Sequence, residues 1–279
     1  MLEADLLQYR LPWLSSAVYP GAHLGRMTGA GLLFKQHQPM AASSDPRRID
    51  LRASVLDPFE HYRVRAYQQP SRIDVYLLAD LSASMGHAGK QKILGTLLRT
   101  LARSAFGYGD RFGFIGAGER AEPRWLLPAG MHYEPVSRVA GQLESARFSG
   151  TAIGLGNAPA YLPAERALLF LLTDGHFPLA HLQGLLASLQ MHDVVPLVLW
   201  DASEYRRLPA WGLLPVRDLE SGVSRTLVMR PALRERIVYA YAQRRQDLLG
   251  TFRAFGSEPL FIEQCDIPAI NRHLHQRTA

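Results

Sequence analysis

The sequence predicts a doubly wound α/β fold with a mostly parallel sheet, flanked by N- and C-terminal extensions. Three observations predict it. Short apolar runs alternate with segments of helical periodicity; two of the runs stop at an aspartate; and polar or glycine-rich turns separate them. A strand that is apolar on both sides of its pleat must be covered on both faces, which parallel sheets achieve with crossover helices.

Residues 73–79 (IDVYLLA) form the first such run, ending at Asp80. Ile93, Leu94, Leu97, Leu98, Leu101, Ala102 and Ala105 then fall on one helical face, stopped by Gly107 and Gly109. Residues 111–117 predict a second strand, 125–127 a short edge strand and 135–145 a helix. The glycine-rich stretch 150–158 leads into a short helix. Residues 167–173 form a third strand, ending at Asp174; 179–190 a helix; and 194–200 a fourth strand. Residues 213–219 and 224–229, around Glu220-Ser221-Gly222-Val223, predict a hairpin. Pro231 opens a long helix to 255, where proline is tolerated in the first turn. A late strand at 260–263 and a closing helix at 267–275 complete the chain. Residues 1–70 are rich in Gly, Pro and Arg with little periodicity. The organisation expected is an extension (1–70), a metal-binding domain (71–200), and a hairpin with helices packed on that domain (201–279).

Composition bounds the function. The net charge of +6 invites a nucleic-acid reading, but residues 1–70 carry eight basic and six acidic side chains, 71–200 eleven and ten, and 201–279 twelve and nine. No segment is a basic block, so a solvated surface is the expectation and no nucleic-acid partner. The single cysteine, Cys265, excludes an intrachain disulfide and a thiolate zinc cluster. Glu3 and Asp5 sit where a signal peptide would need basic and apolar residues, and no apolar run is long enough to span a bilayer. A cytoplasmic protein without a membrane span is expected.

In an open parallel sheet, ligands bind beyond the carboxyl ends of the strands. Asp80 and Asp174 both occupy that edge. Asp80-Leu81-Ser82-Ala83-Ser84 places a carboxylate and two hydroxyls on one turn; Ser149-Gly150-Thr151 adds a third hydroxyl, and Thr173-Asp174-Gly175 a second carboxylate. Magnesium takes about six oxygens at roughly 2.0–2.1 Å and retains some as water. Neutral hydroxyls leave most of its charge uncompensated, so such a site remains electrophilic and should recruit an acidic group from a partner.

Asp80, Ser82, Ser84, Thr151 and Asp174 resemble, in order and spacing, the five positions of the metal-ion-dependent adhesion site of von Willebrand factor A domains. Residues 21–34 (GAHLGRMTGAGLLF), 45–52 (DPRRIDLR), 62–67 (YRVRAY) and the GDRFGF stretch around Arg111 further resemble the bacterial family called domain of unknown function 58. Its members commonly carry tryptophan where this chain has Leu51, and many carry N-terminal membrane helices. The resemblance implies a metal-dependent protein-interaction module without catalysis of its own. It also implies magnesium, with manganese or calcium as alternatives, held by those five residues. Its implied partner is an AAA+ ATPase of the MoxR type, acting in maturation or assembly of a target complex such as methanol dehydrogenase. A metal-dependent hydrolase or phosphotransfer enzyme, and a nucleic-acid binder, are the competing classes.

Other motifs read as structure. Gly89-Lys90 lacks the first glycine of a phosphate loop (Ser84 stands there) and its Ser/Thr (Gln91). Gly154-Leu155-Gly156 has Pro159 where a dinucleotide loop needs glycine. His176, His181 and His192 predict surface or supporting positions, His273 and His275 solvated ones. Asp45, Arg47, Arg48 and Asp50 predict either a turn with internal ion pairs or a docking surface.

Overall fold

The computed structural model describes residues 6–16, 19–29, 31–42, 45–201, 205, 208–217, 219 and 223–277. They fall into two compact units, the smaller formed by Arg10–Ile73 with Tyr108–Asp110.

In the smaller unit, β1 (Pro20–Gly29), β2 (Leu33–Pro39) and β3 (Arg63–Ser71) form an antiparallel sheet with order β1-β3-β2. Sequence periodicity did not announce β1 and β2. Their covered positions explain why: β1 buries His23 and Gly25 rather than an apolar stripe, and no residue of β2 is fully buried. The cluster at 45–50 proves to be turn structure. Asp45 accepts the Arg47 amide (3.0 Å) to open a 3-10 turn, and Asp50 accepts the Ala53 amide (3.2 Å) to cap α1 (Leu51–Val55). Arg65 and His37 converge on Asp50 at 2.8 and 3.1 Å, and the Arg65 guanidinium holds that carboxyl well below the usual range.

The larger unit carries β4 (Asp74–Asp80), α2 (Lys90–Gly107), β5 (Arg111–Ala117), β6 (Ala121–Gly130), α3 (Tyr133–Ser145), β7 (Leu168–Thr173), α4 (Leu179–Ser188) and β8 (Asp193–Leu199). It continues with β9 (Gly212–Arg217), β10 (Ser224–Met229), α5 (Pro231–Ala254), β11 (Leu260–Ile262) and α6 (Ile267–Gln276). The main sheet has the order β11-β8-β7-β4-β5-β6. β4, β5, β7, β8 and β11 run parallel; β6 alone pairs antiparallel, on β5. The doubly wound α/β expectation therefore holds, with β6 longer than the 125–127 expected. Pro123 and Pro128 interrupt its pattern, and proline is tolerated there because the strand lies at an edge.

Helices cover both faces. α2 buries Leu94, Leu97, Leu98 and Leu101 and packs on β4, β5 and α3. On the opposite face Leu78, Ile115, Leu169 and Leu171 meet Leu182 and Leu186 of α4 and Leu248 and Phe252 of α5. β9 and β10 pair as the expected hairpin; its turn residues Glu220-Ser221-Gly222 lie outside the described residues. α6 is anchored by Asn271, which donates to the Leu6 carbonyl (3.0 Å) and accepts from the Gln8 amide (2.8 Å). His273 is buried rather than solvated: α6 turns it inward with Ile270 and Leu274, and burial lowers its pKa.

Asp266 caps α6 by accepting the Ala269 amide at 3.0 Å. Asp266→Ala is expected to lower stability by about 1 kcal/mol, read as a shifted urea midpoint with unchanged slope. An unchanged midpoint would mean that the Asn271 bonds alone hold the helix.

Candidate metal centre

Three loops meet at the carboxyl edge of the main sheet. The buried run of β4 delivers Asp80 to that edge fully buried. The chain then turns tightly: the Ser82 amide donates to Asp80 Oδ1 (2.8 Å), and the Ser82 and Ser84 hydroxyls lie 3.1 Å apart. The Ala83 amide donates to the Gly150 carbonyl (3.0 Å), which ties this turn to the loop carrying Thr151. From β7, Thr173 donates its hydroxyl to Asp80 Oδ2 (2.9 Å), and Asp174 follows, 1% exposed. Asp80, Ser82, Ser84 and Asp174 thus lie together, and the Gly150 contact brings the loop that carries Thr151 beside them.

Burial first, and the neighbouring Asp174 carboxylate second, push Asp80 up to about 7 despite its hydrogen bonds from Ser82 and Thr173. The Thr151 hydroxyl oxygen is buried without a hydrogen-bond partner, which a buried polar atom rarely tolerates. Two carboxylates and three hydroxyls are hard oxygen donors, the set that suits magnesium, with manganese and calcium sharing the preference. The residues present fit such an ion.

Sequence reasoning missed one member. Lys90, 3% exposed, places Nζ 2.9 Å from Asp174 Oδ2. In the sequence it reads only as part of a degenerate phosphate-loop pattern. A signal existed: Lys90 shares the inner face of α2 with Leu94, Leu97 and Leu101, and a lysine on a buried stripe needs a carboxylate partner.

The Asp174 loop is braced from α5. Arg244, half-buried, donates from Nε to the Gly175 carbonyl (3.1 Å) and from its fork to the Phe177 carbonyl. Gly175 has φ +70°, and a Cβ there would stand 2.7 Å from Leu248 Cδ1, so only glycine fits the turn. His176 donates its amide to Asp174 Oδ1 (3.3 Å) while its ring lies 6.4 Å from that of Tyr241. His181 is exposed on α4; His192 is buried instead, with Nδ1 3.3 Å from the Ala167 amide. Beside the site, Arg120, Arg147, Glu119 and Ser149 line a pocket of about 250 Å³ that reaches Leu81.

Comparison with known proteins gives a family and a set of relatives. The family described as "Protein of unknown function DUF58" matches residues 44–247. Uncharacterized proteins of Mycobacterium tuberculosis and Mycobacterium bovis are 25% identical over 250 residues, which cover 86% of this chain and 77% of theirs. Among solved structures, BatB of Bacteroides thetaiotaomicron is similar with a TM-score of 0.46 and 15% identity over 74% of this chain and 98% of its own. The vWF domain of the type V pili tip protein Mfa5 of Porphyromonas gingivalis gives 0.30 and 18% over 37% and 38%.

Proposed function

The chain belongs to the family described as "Protein of unknown function DUF58", and from that premise we propose that it is a metal-dependent protein-interaction module rather than an enzyme. Asp80, Ser82, Ser84, Thr151 and Asp174 would hold magnesium, or manganese or calcium. Two observations carry this reading: the Thr151 hydroxyl is buried without a partner, and the Asp80 carboxylate beside Asp174 is pushed up to about 7. A bound divalent ion would supply an electrophilic centre able to accept a carboxylate from a partner. The partner proposed is an AAA+ ATPase of the MoxR type acting in assembly of a target complex. Among the described residues no helix is long and apolar enough to cross a membrane.

Calorimetric titration with magnesium tests the reading. The wild-type chain should bind one ion, Thr151→Ala should weaken binding by about tenfold or more, and Asp80→Ala should abolish it. Magnesium binding that survives Asp80→Ala would sink the assignment.

A further inference from the structure

We propose that the exposed face of α5, with the β9–β10 hairpin at its foot, is a second docking surface, built for an acidic amphipathic segment of a partner protein. The surface is distinct from the metal centre and does not require it.

The helix is far longer than its packing needs. Its 24 residues span about 36 Å, yet its fully buried residues are Leu248, Thr251 and Phe252, all in the last two turns. From Pro231 to Asp247 no side chain is fully buried. The first four turns rest on a half-buried stripe of Leu233, Ile237, Tyr241 and Arg244 and present their other faces outward.

What they present is not ordinary solvated surface. Ala210, Pro231, Arg234, Glu235, Val238, Tyr239 and Ala242 line a groove of about 510 Å³. Tyr239 is 71% exposed, and next to Ala210 in the chain Trp211 is 69% and Leu213 71% exposed. Large aromatic side chains left in water beside an apolar groove mark a contact surface, and Trp, Tyr and Arg are the side chains on which interfaces most depend.

Charge selects the occupant. Arg225, Arg230, Arg234 and Arg236 are exposed and form no ion pair among the described residues. Against these four, residues 231–246 carry a single acidic side chain, the exposed Glu235, so the surface is positive on balance. An apolar groove lined by Arg234, on a helix with Arg230 and Arg236 nearby in sequence, complements a helix that carries an apolar stripe flanked by Glu or Asp. A nucleic acid would instead leave the apolar groove unused while its phosphates sought the arginines.

The test is fluorescence anisotropy on the full chain in chelator. The probes are a labelled model helix with Leu and Phe on one face and Glu on the other, the same residues scrambled, a Lys-for-Glu version, and single-stranded DNA. The acidic amphipathic peptide should bind at least about tenfold tighter than the scrambled and Lys versions. Arg234→Glu with Arg236→Glu, and separately Tyr239→Ala, should each cost about tenfold or more, with circular dichroism showing both variants folded. Asp80→Ala should leave the affinity unchanged, so this surface and the metal centre fail or stand separately. Equal binding of the scrambled peptide, tighter binding of DNA, or loss of the peptide in Asp80→Ala would each overturn the proposal.

Discussion

In chelator, Lys90→Met is expected to lower the unfolding free energy by about 3–5 kcal/mol, the cost of stripping the partner from a buried charge. Asp174 is 1% exposed, and its Oδ2 is held by Lys90 at 2.9 Å. The methionine fills the volume but leaves the carboxylate facing Asp80 without a compensating charge. Saturating magnesium should return about 2–3 kcal/mol, since a ligand that binds only the folded chain stabilises it by mass action. Urea melts in both conditions check both numbers. A loss below about 1 kcal/mol in chelator would show that Asp174 finds other compensation, and a loss unchanged by magnesium would separate Lys90 from the metal centre.

The metal-free protein should lose stability as pH rises through the neutral range, against the trend of most carboxylates. Asp80 is pushed up to about 7 in the fold from an ordinary 3.8. The folded chain therefore holds that proton more tightly than the unfolded chain. Its contribution is fully present below about pH 4, declines as pH climbs, and is lost by about pH 7, amounting to about 4 kcal/mol across the window. Asp80→Asn keeps an acceptor for the Ser82 amide but cannot titrate, so its stability should be flat where the wild type slopes. In magnesium the wild-type slope should shrink or reverse, because metal and proton compete for the carboxylate. Stability measured from pH 4 to 8 in chelator decides it: parallel curves for wild type and Asp80→Asn would exclude a raised Asp80.

The main sheet was legible in the sequence because each of its central strands is buried on both faces. Runs such as LLFLLT in β7 admit few other readings. The two carboxylates were legible for a related reason: Asp80 ends β4, Asp174 follows β7, and neighbouring parallel strands bring their ends to one edge. Lys90 was not, because its meaning depends on a carboxylate 84 positions away. β1 and β2 were hidden by the near-absence of an apolar stripe. The unpaired arginines of α5 escaped because pairing is a property of space and not of composition.

The two edges of the main sheet carry a further consequence. One is β6, irregular in register against β5 and interrupted by Pro123 and Pro128; the other is β11, three residues long. Neither offers a long, straight ladder of free amides and carbonyls on which another chain could add a strand. The main sheet is therefore a poor template for strand addition. A molecule that meets this sheet must be recognised through side chains, which can change one residue at a time while the sheet stays as it is.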